Sequence, residues 1–323
     1  MRPECRSYDP EGDFMRVRDF LVETYALHGR PFNWLIDRWN FIRFFSVPVH
    51  SHYNVRFFSV PARHPEPLRD EVEYWEASIG VWEDCGEIVG VVTPSNEEAG
   101  DAFLQIHPDY KHLYGEMVSY AEARLADVDG GVGYVKLYVQ DDDHELIKVA
   151  ADRGYRKAPT PMPYLVYNNE NVPEPKLPEG YIVRSVEEED DVEKRRRAKS
   201  MAFGSNYGPS AWPPASAFRT LQQAPDYRED LDLFIVAPNG EYASFCNIWL
   251  DTENGYGNFE PVGTQIWYQG MGLARELLYE GLRRMAEHGV TRSYMDSRNE
   301  FYTRIGFERT SYSYSPWVRY FKA

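Results

Sequence analysis

The sequence has few cysteines and no long apolar run. Its three cysteines, Cys5, Cys85 and Cys246, are far apart and odd in number, which excludes a disulfide framework and a CxxC metal site. No window reaches the roughly 18 apolar residues of a membrane span, and the first residues contain no apolar signal segment. These absences predict a cytoplasmic protein with no membrane partner and no bound metal.

Basic charge is also scarce. The 323 residues include 35 Lys and Arg against 51 Asp and Glu, and the formal net charge is -16. Because phosphate contacts need clustered Lys and Arg, this balance argues against a nucleic-acid partner. An acidic field attracts cationic small molecules, but acidity also serves solubility alone, and both interpretations stay open.

The length and the 43% hydrophobic content predict two domains, each with a core of its own. A proline-rich polar stretch at residues 168–181 interrupts two periodic regions. We therefore predict a first domain at 1–168, a linker at 169–179 and a second domain at 180–323.

The two halves resemble each other in the order of their predicted elements. Each has a meander of strands that leads into a long amphipathic helix, then a strand and a short helix. Residues 106–110 align with 264–268, and residues 152–155 align with 304–307 with only a short indel between these landmarks. This indicates two copies of one fold of the α/β (α+β) class.

The second half contains a glycine pair, Gly270 and Gly272, where an amphipathic helix should begin. Successive backbone N–H groups at the positive end of a helix form an anion nest, and glycines let a phosphate approach closely. Two other interpretations are a tight helix start and a dinucleotide fingerprint. The fingerprint would need a third glycine where Arg275 stands.

Two ordered motifs carry a family resemblance. Residues 269–274, "QGMGLA", fit the pattern Arg/Gln-x-x-Gly-x-Gly/Ala, and residues 299–307, "NEFYTRIGF", fit a later Asn…Tyr-x-x-x-Gly-Phe pattern. From about Gly180 onward the chain therefore resembles the GNAT superfamily of acyl-CoA-dependent N-acyltransferases. The resemblance implies two GNAT-like domains, each a mixed, mostly antiparallel sheet flanked by helices.

The resemblance also implies roles for individual residues. Tyr302 would protonate the coenzyme A sulfur and Glu260 would act as the general base, with Asp251 and Glu253 as alternative carboxylates. The residues expected to bind acetyl-CoA, the acyl donor, are Val262, Gly263, Gln269, Gly270, Met271, Gly272, Leu273, Ala274 and Asn299. Within this set, a backbone N–H near Val262 or Gly263 would meet the acyl oxygen, and Asn299 would contact the pantetheine arm.

Strand alternation places Glu260 and Val262 on one face of their strand. The acceptor pocket is expected from the loop at residues 203–218 and from the terminal aromatic stretch. Trp212, Trp249 and Trp317 are candidate walls, because aromatic faces favour a cation or a ring.

The first half lacks the matching groups. His112 and Tyr114 stand where the second half has its two glycines, and Ala150 stands opposite Tyr302. We therefore expect the first domain to be a degenerate copy that does not bind acyl-CoA.

These patterns predict a tandem-domain N-acetyltransferase. Its acceptor would be a primary amine on a small molecule, such as an aminoglycoside-like compound or a polyamine. A peptide or protein amine is the enzymatic alternative, and a non-catalytic acyl-CoA sensor is the alternative from another class. A homo-oligomer is left open.

Overall fold

The computed structural model describes residues 2–45, 71–95, 98–203 and 212–322. The elements up to residue 168 are β1 (Glu4–Ser7), α1 (Phe14–His28), α2 (Ile36–Phe44), α3 (Glu71–Ser78), β2 (Gly80–Asp84), β3 (Glu87–Thr93), β4 (Asp101–Ile106), α4 (Tyr114–Arg124), β5 (Asp127–Asp129), β6 (Val132–Gln140), α5 (His144–Asp152), β7 (Arg156–Lys157) and β8 (Met162–Asn168). The later elements are β9 (Ile182–Ser185), α6 (Val192–Ala202), α7 (Ala215–Leu221), β10 (Asp232–Val236), β11 (Tyr242–Asp251), β12 (Tyr256–Thr264), α8 (Leu273–Glu287), β13 (Arg292–Asp296), α9 (Glu300–Arg304) and β14 (Glu308–Lys322).

The chain divides into two compact units. Unit 1 comprises Met1–Leu35, Asn54–Tyr164 and Thr310–Ala323, and unit 2 comprises Ile36–Tyr53 and Leu165–Arg309. No helix in the described ranges combines the length and the apolarity needed to cross a membrane.

The sheet of unit 1 has the order β1-β2-β3-β4-β6-β14. Its neighbours are antiparallel except for β4 and β6, which are parallel because α4 connects them. The helix α4 packs Met117, Val118 and Ala121 onto apolar residues of these strands.

The sheet of unit 2 has the order β8-β13-β12-β11-β10-β9, and the parallel pair here is β12 with β13, joined by α8. Along β11, Cys246, Ile248 and Leu250 belong to the core formed with α8. The alternate residues of a strand point to the opposite face. That opposite face is covered by α2, α6 and α7. Within each unit the strands are mixed, mostly antiparallel and flanked by helices, which confirms the predicted fold class.

The compact units differ from the predicted boundaries in two segments. Residues 310–322 pair with β6 of unit 1, along the register Tyr314↔Gln140 to Lys322↔Val132, although they lie inside the predicted second domain. Conversely, α2 packs on β11 and α7 of unit 2, although it lies inside the predicted first domain. The two segments join these units through strand pairing and helix packing between residues that are far apart in the sequence. A local break in composition, such as the proline-rich stretch, carries no information about such contacts.

Candidate functional site

The loop between β12 and α8 has the backbone of an anion nest. Gly270 and Gly272 adopt the left-handed conformation, with φ of 79° and 80°, which side chains with a Cβ rarely accept. The helix α8 then begins at Leu273 with Gly272 as its N-cap. Gly270 and Met271 are exposed, so the loop is open to a ligand.

The nest fits a diphosphate. In the part of the chain that the structure describes, the backbone N–H groups of Gly272, Leu273 and Ala274 donate no hydrogen bond. A Cβ on Gly270 would meet no atom of the described residues within 4 Å, so these residues leave space in front of the loop. The side chain of Gln269 turns away and donates to the carbonyl oxygen of Thr264 at 3.2 Å. Free N–H donors at the positive end of a 15-residue helix suit a phosphate anion.

The strand before the nest loses its partner on one side. Pairing of β12 with β13 ends at Asn258, opposite Tyr294. From Phe259 to Thr264, the described residues supply no strand to this edge of β12. An open edge with unpaired backbone groups can hydrogen-bond an extended ligand that leads to the nest.

Glu260 lies in a β-bulge at this open edge, and the predicted alternation is wrong there. Phe259 pairs with Ile248 and Val262 pairs with Cys246, so β12 has one residue more than β11 between these pairs. Phe259 and Val262 therefore both pack against the core under α8. Pro261 lines a cavity on the opposite face. Glu260 and Val262 consequently do not share a face.

Tyr302 of α9 lies within electrostatic reach of Glu260. Burial and, next, the Glu260 carboxylate raise the pKa of the Tyr302 phenol, which stays protonated at neutral pH. Its ring packs edge-on against Phe301 and Phe307, at centroid distances of 5.1 and 6.0 Å. Within the described ranges its hydroxyl makes no hydrogen bond, so it is free to donate to a ligand.

The other predicted carboxylates and Asn299 have local roles. Asp251 is fully buried and accepts hydrogen bonds from the backbone and side chain of Asn254, at 3.0 and 2.7 Å. It pairs with Tyr256, at the far end of β12 from the nest, and Glu253 lies in the same turn. Asn299 caps α9 by accepting the N–H of Phe301 at 3.0 Å.

Gly263 is a glycine for a packing reason. A Cβ there would come within 2.4 Å of the ring of Phe245, its partner on β11. Its carbonyl oxygen accepts from the Ser244 hydroxyl at 3.0 Å. The close approach fixes the strand that carries Val262 and Gly263 along the open edge.

A cavity lies on the face of the unit 2 sheet opposite α8. Five phenylalanines line it, together with polar residues that include Lys199 and Asn247, and none of the three predicted tryptophan walls does so. The phenylalanines are Phe41, Phe45, Phe218, Phe234 and Phe245.

The three tryptophans that were predicted as pocket walls do not line this cavity. Trp249 is buried and donates its indole N–H to the carbonyl oxygen of Glu260, Trp212 lies beside Arg196, and Trp317 pairs with Leu137 in unit 1. Trp317 therefore belongs to the unit 1 core, because the terminal strand pairs there. Residues 204–211 of the predicted pocket loop lie outside the described residues.

Sequence reasoning missed Lys199 and Asn247. Lys199 is buried on α6, and Asn247 is buried on β11 opposite Asp232. A usable signal was present, because Arg195 and Lys199 are four residues apart on a helix and share a face with Ala198. Burial lowers the pKa of Lys199 to about 8, and the Glu260 carboxylate opposes this shift.

The equivalent loop of unit 1 contains no nest. Residues 108–113 form a 3-10 helix that runs into α4, and Tyr114 has φ of -51°. Tyr114 is buried and donates its hydroxyl to Asp143, while Ala150 is buried inside α5. The positions matched to Gly270 and Gly272 hold no left-handed glycine, and the position matched to Tyr302 holds no phenol.

Comparison with known proteins gives one family. Residues 200–307 match the model of the Acetyltransferase (GNAT) family. Over 233 residues the chain is 28% identical to mycothiol acetyltransferase of Kineococcus radiotolerans, covering 68% of this chain and 74% of that protein.

Solved structures show the same fold. A GCN5-related N-acetyltransferase from Sphaerobacter thermophilus superposes with a TM-score of 0.61 at 17% identity, covering 99% of this chain and 96% of that one. A tandem GNAT protein from the clavulanic acid biosynthesis pathway superposes with a TM-score of 0.59 at 14% identity, covering 99% and 98%. At these identities the likeness concerns the fold alone.

Proposed function

We propose that unit 2, whose residues 200–307 match the model of the acetyltransferase (GNAT) family, transfers an acetyl group from acetyl-CoA to a primary amine of a small molecule. The observation that carries this proposal is the nest at Gly270 and Gly272, with its free N–H donors at the end of an open strand edge. Acetyl-CoA would supply the activated acetyl thioester. The nest residues 270–274 would hold its diphosphate, and the edge of β12 at Val262 and Gly263 would align the pantetheine arm with its acetyl thioester.

Two side chains support the chemistry of direct attack in a ternary complex. Acyl transfer to an amine needs a neutral amine, a polarised acyl carbonyl and a protonated leaving group. Glu260 is a carboxylate at the reaction edge that can take a proton from the ammonium, directly or through water. Tyr302 holds its proton because burial raises the pKa of the phenol, so it can donate that proton to the departing sulfur. A backbone N–H of the bulge segment, near Val262, would polarise the acyl oxygen.

The acceptor is proposed from the charge of the chain. The net charge of -16 favours a polycation such as an aminoglycoside-like compound or a polyamine. That charge belongs to the whole chain, however, and does not describe the lining of the cavity beside Pro261. A peptide or protein amine is the alternative acceptor, and an acyl-CoA sensor is the alternative without catalysis. A cytoplasmic location and a homo-oligomer also remain proposals.

Unit 1 would serve as a scaffold without a second acetyl-CoA site. The proposal rests on the buried Tyr114, which occupies the position of Gly272, and on the helical backbone of residues 108–113. A side chain at that position would block the approach of a phosphate.

The experiment is a thiol-release assay with acetyl-CoA and a panel of small amines, amino sugars, polyamines and short peptides. Release that depends on a small amine supports the transferase, and release with peptides alone favours the peptide acceptor. Acetyl-CoA binding without release on any amine would identify a sensor. If acetyl-CoA does not bind, the proposed function is wrong.

A further inference from the structure

The Phe-lined cavity of unit 2 lies directly beside the proposed reaction edge. Its wall includes Pro261, the residue after Glu260, and Asn247, which lies on β11 between the two pairs that flank the bulge. The remaining wall comes from α2, α6 and α7, so the cavity is enclosed by helices on one side and by the sheet on the other.

Two of its charged residues already satisfy each other. Arg195 forms an ion pair with Asp232, and it also reaches Asp190 at 3.3 Å. Asp232 accepts a further hydrogen bond of 2.7 Å from the Tyr227 hydroxyl. The charges of this buried pair compensate each other, so the pair does not require a ligand.

Lys199 has no such partner. Its ammonium lies over three aromatic rings, at 4.3 Å from the centroid of Phe45, 4.9 Å from Phe41 and 5.5 Å from Phe203. Among the described residues, no carboxylate lies within ion-pair distance and no group accepts a hydrogen bond from it. Ring faces stabilise a buried cation only in part, and three N–H donors remain unused.

Asn247 is equally unsatisfied. Its side-chain oxygen and its side-chain nitrogen are both buried and have no hydrogen-bond partner among the described residues, and Asn247 is only 3% exposed. A buried polar group without a partner destabilises the folded protein, because it has lost its hydrogen bonds to water. Two such residues lining one cavity are unfavourable for the protein alone, and a ligand that completes their hydrogen bonds would remove the penalty.

The donors select the chemistry of that ligand. Lys199 and the amide nitrogen of Asn247 both donate, so the complementary group is an oxygen that accepts, such as a carboxylate or an amide carbonyl. A second cation is disfavoured, because the Lys199 ammonium already occupies the aromatic faces and would repel it. The phenylalanines would pack against the apolar remainder of the molecule.

We propose that this cavity is the acceptor subsite of the transferase, and that the acceptor amine also carries a carboxylate or amide oxygen, which Lys199 and Asn247 hydrogen-bond. This inference rests on the proposed function and narrows its acceptor to amino acids, amino amides and related compounds. A carboxylate would add an ion pair with Lys199, whereas an amide would use hydrogen bonds alone.

The test uses matched ligand sets in which only the oxygen-bearing group changes. Each set contains an amino acid, its primary amide and the corresponding decarboxylated amine, for example leucine, leucinamide and 3-methylbutylamine, with further sets of other side chains. Binding to the full-length protein with coenzyme A is followed by calorimetry, and turnover is followed by thiol release. We expect the acid or the amide of at least one set to bind at least about tenfold more tightly than its decarboxylated amine.

Two variants assign the effect to the cavity. Lys199→Met and Asn247→Leu keep the side-chain size and remove the donors, while Lys194→Met changes a lysine on the same helix outside the cavity. We expect Lys199→Met to weaken binding of the oxygen-bearing ligand by about ten- to hundredfold, and to leave the decarboxylated amine and acetyl-CoA unchanged. A larger loss for the acid than for the amide identifies the carboxylate. Asn247→Leu should weaken binding of the acid and of the amide to the same extent, and Lys194→Met should weaken the binding of neither ligand.

The outcomes separate this inference from the proposed function. Turnover without a preference for the oxygen-bearing ligand, or an equal loss on all three ligands in Lys199→Met, overturns the subsite and leaves the transferase standing. Oxygen-dependent binding without thiol release supports the subsite and contradicts the transferase. Failure of every oxygen-bearing ligand to bind overturns the subsite.

Discussion

The indole N–H of Trp249 donates a hydrogen bond of 2.9 Å to the backbone carbonyl oxygen of Glu260. Trp249 is buried on β11, and the bond ties the bulge of β12 to the strand beside it. Because a bulge has lost part of its ladder, such a side-chain bond decides where Glu260 and the following residues lie. We therefore expect the position of the proposed base to depend on Trp249.

We expect Trp249→Phe to lower turnover about tenfold, because the Glu260 carbonyl loses its donor and the bulge shifts. The affinity for acetyl-CoA should change little, since the nest lies beyond the bulge. Steady-state kinetics and calorimetry together give this separation.

Trp82→Phe is the matched control for that change. Trp82 is as buried as Trp249, but its indole N–H has no hydrogen-bond partner among the described residues. The Trp82→Phe variant should be less stable than the wild type because its ring is smaller, and its turnover should be unchanged. Equal turnover losses in both variants would mean that general destabilisation, and not the bulge, explains the effect.

Tyr302→Phe should lower turnover about a hundredfold and leave the affinity for acetyl-CoA unchanged, because only the proton donor is removed. Burial raises the pKa of the Tyr302 phenol, so the wild type should keep its acid function throughout the range from pH 6 to about 9.5. A pH–rate profile checks this expectation.

Tyr279→Phe is the control for the phenol. The Tyr279 hydroxyl donates to the backbone carbonyl of Ile305 at 3.3 Å and packs against the same core. Its loss should reduce stability alone. Full activity of Tyr302→Phe would refute the acid role.

Sequence alone predicted the parts of the site that are local. The nest depends on Gly270 and Gly272, whose left-handed conformation few other residues adopt, and the helix after it follows from its apolar spacing. The bulge was signalled by Pro261, a residue that interrupts a strand ladder, although strict alternation was assumed there.

The cavity could not be predicted in the same way. Phe41 and Phe45 are about 150 residues away from α6 in the sequence, and nothing in the local pattern of α2 tells which sheet it covers. The terminal strand raises the same difficulty, because its alternation fits either sheet and only the pairing with β6 decides.

Lys199→Met should raise the melting temperature at pH 7. Burial depresses the pKa of Lys199 from 10.5 to about 8, so between these values the unfolded chain binds more protons than the folded one. The free energy of unfolding of the wild type should therefore rise with pH between about 8 and 10.5. This gain in stability is lost again as the pH falls through 8, where Lys199 is protonated in both states. This pKa shift corresponds to a change in the free energy of unfolding on the order of 3 kcal/mol.

Thermal unfolding at several pH values between 7 and 10 measures this, with Lys194→Met as the control. The excess stability of Lys199→Met over wild type should shrink as the pH rises, and Lys194→Met should show no such trend. An excess that is constant with pH, or a Lys199→Met protein less stable than wild type at pH 7, would contradict a buried, unpaired ammonium.

The most direct test of the account is a calorimetric titration of the full chain with acetyl-CoA, on wild type and on Gly270→Glu with Gly272→Glu. Gly289→Ala is the control, because Gly289 is also left-handed with open space around it, but lies at the other end of α8. The account predicts one site per chain, lost in the double variant and kept in the control. Two sites per chain, or undiminished binding by the double variant, would contradict it.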